Sequence, residues 1–407
     1  MRTLLLAATL GLCLPTLAID RFVDPNLSSG NGTTLFNSIA SAVTASVNGD
    51  RILIVPGTYD EPALTLNKSL TLMGQTAGST VNFNANITVA GFPGMKLQLL
   101  GFNLGIYNLN SSAVTGGSAT NRAKVSLIEC SMANLSLDND YYEFNGVRTV
   151  VSTATTFRFG AFVASKTGTL TITDEPGNNV AGQSIFICND TITSTLWFQN
   201  DDSQARIYNN RLIDLRFIIW QSTSGLQNMV CNNDFVNGAY IHMPWSGSIP
   251  RYNFTYANNQ FLGTIVFSTG FVCGDANNYS GVGFGCLQTS ASSSAFPNAA
   301  YQGLFEWIYN GVNLPCATPT AGQPLVLTRV IGPTGTTANA GSPNNAYYDT
   351  DLTVNDRGRT GGPYSSLNYN PTLNPSGGKA FIIDLEMPSD LFPGQQLDIK
   401  AKGYHRN

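Results

Sequence analysis

The sequence predicts an all-β fold, a parallel β-helix solenoid with an N-terminal amphipathic helix cap and a small C-terminal β cap. Three observations predict it. A short motif recurs with a period in the twenties. Asn, Ser, Thr and Gly stand where most soluble chains carry charge. A segment of helical spacing precedes the first β-prone run.

The repeat comes first. Ile187-Cys188-Asn189-Asp190-Thr191-Ile192, Ile207-Tyr208-Asn209-Asn210-Arg211-Leu212, Val230-Cys231-Asn232-Asn233-Asp234-Phe235 and Tyr256-Ala257-Asn258-Asn259-Gln260-Phe261 align, starting at 187, 207, 230 and 256. Each has an apolar residue, Asn or Asp three later, and another apolar residue two beyond. A further apolar position, at Phe198, Ile218, Ile241 and Phe267, follows six residues on. One such coil cannot bury its inward residues alone, but stacked coils bury them against equivalent columns above and below. The Asp190, Asn210, Asn233 and Asn259 column is then expected to form an asparagine-type ladder at a tight turn. Asn tolerates left-handed backbone, and its amide can satisfy its neighbours along the stack.

Cys188 and Cys231 share a column with Tyr208 between them, and Cys130 is placed in the same column. Two coils separate Cys188 from Cys231 by about 9.6 Å, beyond bridging distance. All three are expected to be free and packed. Among the remaining cysteines, Cys273 is paired with Cys286, leaving Cys316 single.

Composition supports this class. Charged residues are 11% of the 407, against about 25% in typical soluble domains, yet hydrophobic residues at 43% suffice for a core. Net charge is −4 and no Lys/Arg-rich stretch occurs, which argues against nucleic acid as a partner. After the N-terminus no apolar run approaches the ~20 residues of a spanning helix. Residues 1–18 read as a secretory signal: Arg2, the apolar run Leu4 to Leu14, and Thr16-Leu17-Ala18 before the cleavage point. Export to the extracellular space or cell surface follows from it.

The mature chain begins with a cap, 19–50. Leu35, Phe36, Ile39, Ala42 and Val43 have helical spacing, and Asn48-Gly49-Asp50 ends the segment. An amphipathic helix here would cover the open end of the first coil. Arg51 to Val55 reads as a strand, Pro56 to Tyr59 as a turn, and Leu64 to Leu72 as two short strands. The solenoid extends over 51–363, with 270–322 as a loop insertion. The C-terminal β segment, 364–407, holds β-prone Ala380 to Leu385 and Leu397 to Ala401.

Phe22-Val23-Asp24-Pro25, Gly30-Asn31-Gly32, the helix, Asn-Gly-Asp and Pro-Gly-Thr-Tyr together resemble the N-terminal cap of pectate-lyase-like right-handed β-helix proteins. Gly341-Ser342-Pro343, Tyr347 to Leu352 and Asn355-Asp356-Arg357-Gly358-Arg359-Thr360-Gly361-Gly362-Pro363 resemble the closing segment of bacterial members, with Arg359 and Thr360 departing from the usual residues. The resemblance implies a right-handed solenoid and leaves the reaction open, because the fold hosts lyases, hydrolases and adhesins. Polygalacturonases of this group use a Gly-His-Gly, and neither His242 nor His405 lies in one.

Three sets of residues could carry function. Trp197, Phe217, Tyr240 and Val266 flank the inward column, so alternation puts them on the outer face, followed by Gln199, Ile219, His242 and Ser268, with Trp245 nearby. Exposed aromatics stack on sugar rings; with Arg216 they make a flank that binds polysaccharide or surface glycan. The same stripe could instead lie under the 270–322 loop. Asp349, Asp351, Asn355 and Asp356 offer four oxygen-bearing side chains to a hard cation, so Ca²⁺ is a candidate ligand though no cofactor is required. An atypical lyase or hydrolase site would draw on Asp201, Asp202, Arg206 or Arg216. A structural or adhesive surface role is the third reading, and a monomer is expected.

Overall fold

The computed structural model describes residues 18–76, 79–174, 184–199, 204–217 and 227–242, with short pieces between 253 and 404. At 217, 227–228, 237–242 and in the strands of 253–329 and 381–404 the backbone alone is described.

Two long stacks of parallel strands dominate the chain. The first sheet runs from Asp20–Val23 through Arg51–Ile54, Thr71–Gly74, Lys96–Leu100, Ala123–Ile128, Tyr142–Val147, Gly160–Val163, Ser184–Cys188, Gln204–Tyr208 and Gln227–Cys231 to Asn253–Ala257. The second is built from the intervening segments, among them Leu64–Leu66, Ile87–Ala90, Asn108–Ser112, Ser131–Leu137, Val150–Phe157, Lys166–Ile172, Thr191–Phe198, Arg211–Phe217 and Asp234–His242. From Ala123 to His242 successive strands alternate between the sheets, and in the coils from Arg51 to Ser112 each strand of the first sheet is followed by two short strands of the second. Among the described residues no helix is long and apolar enough to cross a membrane.

Register makes the columns explicit. In the first sheet Ile52, Leu72, Leu99, Leu127, Gly146, Phe162, Ile187, Ile207 and Val230 stack in order, and the register continues to Tyr256. In the second, Leu64, Ile87, Leu109, Leu135, Thr155, Leu170, Leu196 and Leu215 form the inward column, continued by the backbones of Ile241 and Phe267. The described members of both columns are buried, and at Gly146 the space of the missing side chain is filled by the rings of Phe144 and Phe162.

The turn from first to second sheet repeats one backbone conformation. Gly101, Glu129, Arg148, Ala164, Asn189, Asn209 and Asn232 all have φ between 51° and 71°. The asparagines expected in the ladder stand one position later. Left-handed geometry therefore belongs to Asn189, Asn209 and Asn232, and the ladder itself is Cys130, Thr149, Ser165, Asp190, Asn210 and Asn233. Asn259 lies outside the described residues. Asn233 Oδ1 accepts from the Asn210 backbone N–H at 2.9 Å, Asn210 Oδ1 from Asp190 at 2.8 Å, and Asp190 Oδ1 from Ser165 at 2.6 Å. Asn210 Nδ2 donates to the Ile187 carbonyl and Asn233 Nδ2 to that of Ile207, each at 3.0 Å. Thr149 Oγ1 makes the matching bond to Leu127 at 3.1 Å.

Cys130 accordingly sits two columns after Cys188, Tyr208 and Cys231, not among them. All three cysteines are buried thiols outside any disulfide. Burial pushes the Cys130 thiol up to about 12 and the Cys188 thiol well above its ordinary value.

The outer side of this turn is covered by the closing motif. Asn189 Nδ2 donates to the Tyr364 carbonyl at 2.8 Å, Asn209 Nδ2 to Arg359 and Gly361 at 3.0 and 2.5 Å, and Asn232 Nδ2 to Gly358 at 3.4 Å. The Arg359 N–H reaches Asp234 Oδ1 at 3.1 Å, and the Tyr364 ring packs on Phe186 and Tyr208. Gly358, Arg359, Gly361 and Tyr364 thus form a strap whose carbonyls are received by three stacked left-handed asparagines.

At the N-terminus the helix is Ile39–Ala45, shorter than the periodicity predicts. Leu35–Phe36 instead form a strand beside Phe22–Val23. Asn31 Oδ1 accepts from the N–H groups of Thr33, Thr34 and Leu35, which fixes a turn where a first helical turn would stand. The helix packs Ile39, Ala42 and Val43 inward. Glu61 accepts from the N–H groups of Ile39 and Ala40, and Lys68 donates to the carbonyls of Val43 and Thr44. Each charge complements its end of the helix dipole. Gly57–Tyr59, expected as a turn, is a strand parallel to Val81–Phe83.

Within 270–322, Ser293–Phe296 and Phe305–Tyr309 extend the two sheets in the antiparallel sense. Phe381–Glu386 pairs antiparallel with Lys400–Tyr404, three residues beyond the expected second strand. Residues 1–17, most of the signal segment, lie outside the described residues, as do Cys273, Cys286 and Cys316.

Candidate ligand-binding flank

The outer face of the second sheet is set by the same register. Thr171, Trp197 and Arg216 are successive neighbours, and the backbone of His242 follows. In the next column outward, Thr195 neighbours Asp214, whose partner is Tyr240. The expected ladder of Trp197, Phe217 and Tyr240 is therefore not one column. Phe217 pairs with Phe198 in the strand position beyond Arg216. The cause is a register shift in each coil: Ile192 and Thr195 match Leu212 and Asp214, so one coil carries an extra residue between its fixed points. Asp234–His242 absorbs three more between Phe235 and Tyr240. Counting six residues from the preceding apolar position misses these bulges.

What the register brings together is compact. Asp214 Oδ2 accepts from Arg216 Nε at 2.7 Å and lies 2.7 Å from Nη2, while Thr195 Oγ1 donates to the same oxygen at 3.2 Å. The Asp214 side chain is 8% exposed and that of Arg216 39%. The guanidinium carbon stands 5.5 Å from the centroid of the half-exposed Trp197 ring. Asp214 thus fixes one edge of the guanidinium, the indole supports its face, and the remaining N–H donors are free to meet solvent or a ligand. A planar cation on an aromatic face, held by a buried carboxylate, is a preorganised receptor for carboxylates and hydroxyls. Asp214 and Thr195 carry no aromatic or cationic signature in the sequence, and only the register shows their role.

The remaining expected residues divide differently. Arg206 belongs to the first sheet, where its Nε donates to Gln204 Oε1 at 3.0 Å, so it does not share a face with Arg216. Asp201, Asp202, Trp245 and the calcium candidates Asp349, Asp351, Asn355 and Asp356 lie outside the described residues. Among the described residues no group of three or more His, Cys, Asp or Glu side chains is placed to hold a metal. An Arg-x-Lys occurs once, as Arg122-Ala123-Lys124. Its two cations are committed to different partners: Arg122, just ahead of the Ala123–Ile128 strand, is buried with its guanidinium 4.3 Å from the Phe159 ring centroid, and Lys124 pairs with Glu143 at 3.1 Å.

No protein family, curated protein or solved structure matches the chain.

Proposed function

We propose that this chain is an exported, right-handed, pectate-lyase-like solenoid, closed at its N-terminal end by the Ile39–Ala45 helix, that binds polysaccharide or surface glycan along its flank. The observation that carries the reading is the Trp197–Arg216 stack pinned by Asp214. It offers a sugar ring an aromatic face and offers a uronate or hydroxyl a fixed set of donors. The flanking Thr171 and the in-register backbone of His242 extend the same row along the stacking axis, at about 4.8 Å per coil. A polymer lying along that axis meets several coils at once. Multiple weak contacts of this kind accumulate affinity through effective concentration.

The test is a glycan array that includes acidic polysaccharides, run with residues 19–407. The same samples, with and without Ca²⁺, are assayed for new reducing ends and for unsaturated uronates. The expected result is binding without cleavage, lost in Trp197→Ala. Cleavage would instead place the chain among carbohydrate-active lyases or hydrolases. Silence on both readouts would overturn the reading for the glycans tested and leave a structural or adhesive role.

A further inference from the structure

The outer face of the first sheet holds a second polar recess, separate from the Trp197 flank. Thr71, Gln98, Ser126 and Asn145 are successive register partners over four coils, and Lys96 and Lys124 stand side by side in the column two positions earlier. These six side chains line a cavity of about 290 Å³. That is near the lower end of the roughly 300–1,000 Å³ typical of small-molecule sites.

Its hydrogen-bonding capacity is largely unspent. Thr71 Oγ1 donates to Gln98 Oε1 at 3.3 Å, which leaves the Gln98 amide N–H groups without a partner among the described residues. The same holds for the side chains of Ser126 and Asn145 and for the Lys96 ammonium. Lys124 is paired with Glu143 at 3.1 Å. The recess therefore presents one uncommitted cation beside a row of neutral donors and acceptors, repeated at about 4.8 Å.

We infer that this recess binds an acidic saccharide unit, with its carboxylate on Lys96 and its hydroxyls on Gln98, Ser126 and Asn145. A single free ammonium matches one carboxylate, and the neutral row matches ring hydroxyls, which both donate and accept. No aromatic ring lines the cavity, so the ligand is held by polar contacts and not by stacking. The inference is independent of the Trp197 flank, which lies on the other sheet.

The experiment is calorimetric titration of the mature protein with D-glucuronate and with a trigalacturonate, using D-glucose and inorganic sulfate as comparisons. Both uronates are expected to bind, more tightly than glucose or sulfate. Lys96→Ala should weaken them at least about tenfold, the loss of one charge-assisted hydrogen bond. Lys96→Arg should restore most of the affinity, and Trp197→Ala should leave the monosaccharide unaffected. Lys96 is exposed, so its replacement leaves the core intact. Sulfate binding as tightly as glucuronate would overturn the saccharide assignment in favour of a simple anion site. No glucuronate binding at millimolar concentration, or binding indifferent to Lys96→Ala, would overturn the site. Preference for trigalacturonate over glucuronate would mark a polymer subsite, and equal affinity a monosaccharide site.

Discussion

Asp190 occupies a ladder position that its neighbours fill with Asn, and replacing it with Asn should stabilise the protein at neutral pH. The side chain is fully buried; Oδ1 accepts from the Ser165 N–H, and Oδ2 has no hydrogen-bond partner. By register, the carbonyl that would receive a donor from this position is that of Phe162, as Ile187 receives Asn210 and Ile207 receives Asn233. A neutral carboxyl has such a donor and a carboxylate does not. Burial accordingly pushes the Asp190 pKa well above the ordinary range, opposed by the Ser165 and Cys188 backbone and by Arg359 of the strap. Because the folded pKa lies above the unfolded one, the site's contribution is fully present below about pH 4 and is lost as pH rises toward the folded value. Over that window wild-type stability should fall by about 1.4 kcal/mol per pH unit from this site alone. Asp190→Asn keeps the acceptor, supplies the missing donors and does not titrate, so its curve should lack this slope. Above the unfolded pKa it should therefore be the more stable protein, by a margin that widens as pH rises toward the folded value. Urea denaturation of both proteins from pH 4 to 8 measures the difference. An Asn variant less stable than wild type at pH 6 would refute the reasoning and mean that Asp190 is ionised against Arg359.

Three further outcomes follow from the packing. Asn209→Gly keeps the left-handed backbone at φ 58° but removes both side-chain bonds to the strap; it should cost about 1–3 kcal/mol and expose 358–364 to protease, whereas Asn209→Ala should cost more because it adds backbone strain. Leu215→Ala, in the middle of the inward column, should cost about 2–5 kcal/mol in chemical denaturation, and a loss under 1 kcal/mol would contradict the register given for the second sheet. The third concerns the mature terminus. Ile19 N donates to the buried Asp50 carboxylate at 3.0 Å, beside the Arg21 pair at 2.7 Å. Cleavage after Ala18 would make that nitrogen an ammonium with its pKa raised above the usual ~8 by the carboxylate. A protein beginning at Ile19 should then lose stability as pH rises above about 8, while its N-acetylated form should not.

The columns that were legible in the sequence are those fixed by burial. Ile187, Ile207, Val230 and Tyr256 are register partners, as are Ile192, Leu212, Phe235 and Phe261, because an inward apolar residue beside a turn has one place to go. The third column was not legible. Bulges of different length separate it from the second, and period-two alternation carries no memory across a bulge. The candidate flank inherited that difficulty: Trp197 and Arg216 belong together, but their link is Asp214, whose place depends on a register that pattern alone does not set. The ladder was legible as a column of amides at a tight left-handed turn, but the left-handed residue stands one position before the ladder. Glu129, Arg148 and Ala164 adopt the same conformation as Asn189, so the fold imposes it and residue type only eases it. The strap's docking was invisible for a different reason: Gly358 and Asn232 are 126 residues apart, and their contact uses backbone carbonyls that no side-chain pattern announces.

The central claim is that the Trp197–Arg216 row receives polysaccharide. Affinity electrophoresis tests it most directly, with wild type, Trp197→Ala and Arg216→Ala run through gels containing an acidic or a neutral polysaccharide. The account predicts retardation of wild type, its loss in Trp197→Ala in both gels, and a larger loss for Arg216→Ala in the acidic gel. Three proteins migrating alike in every gel would contradict it.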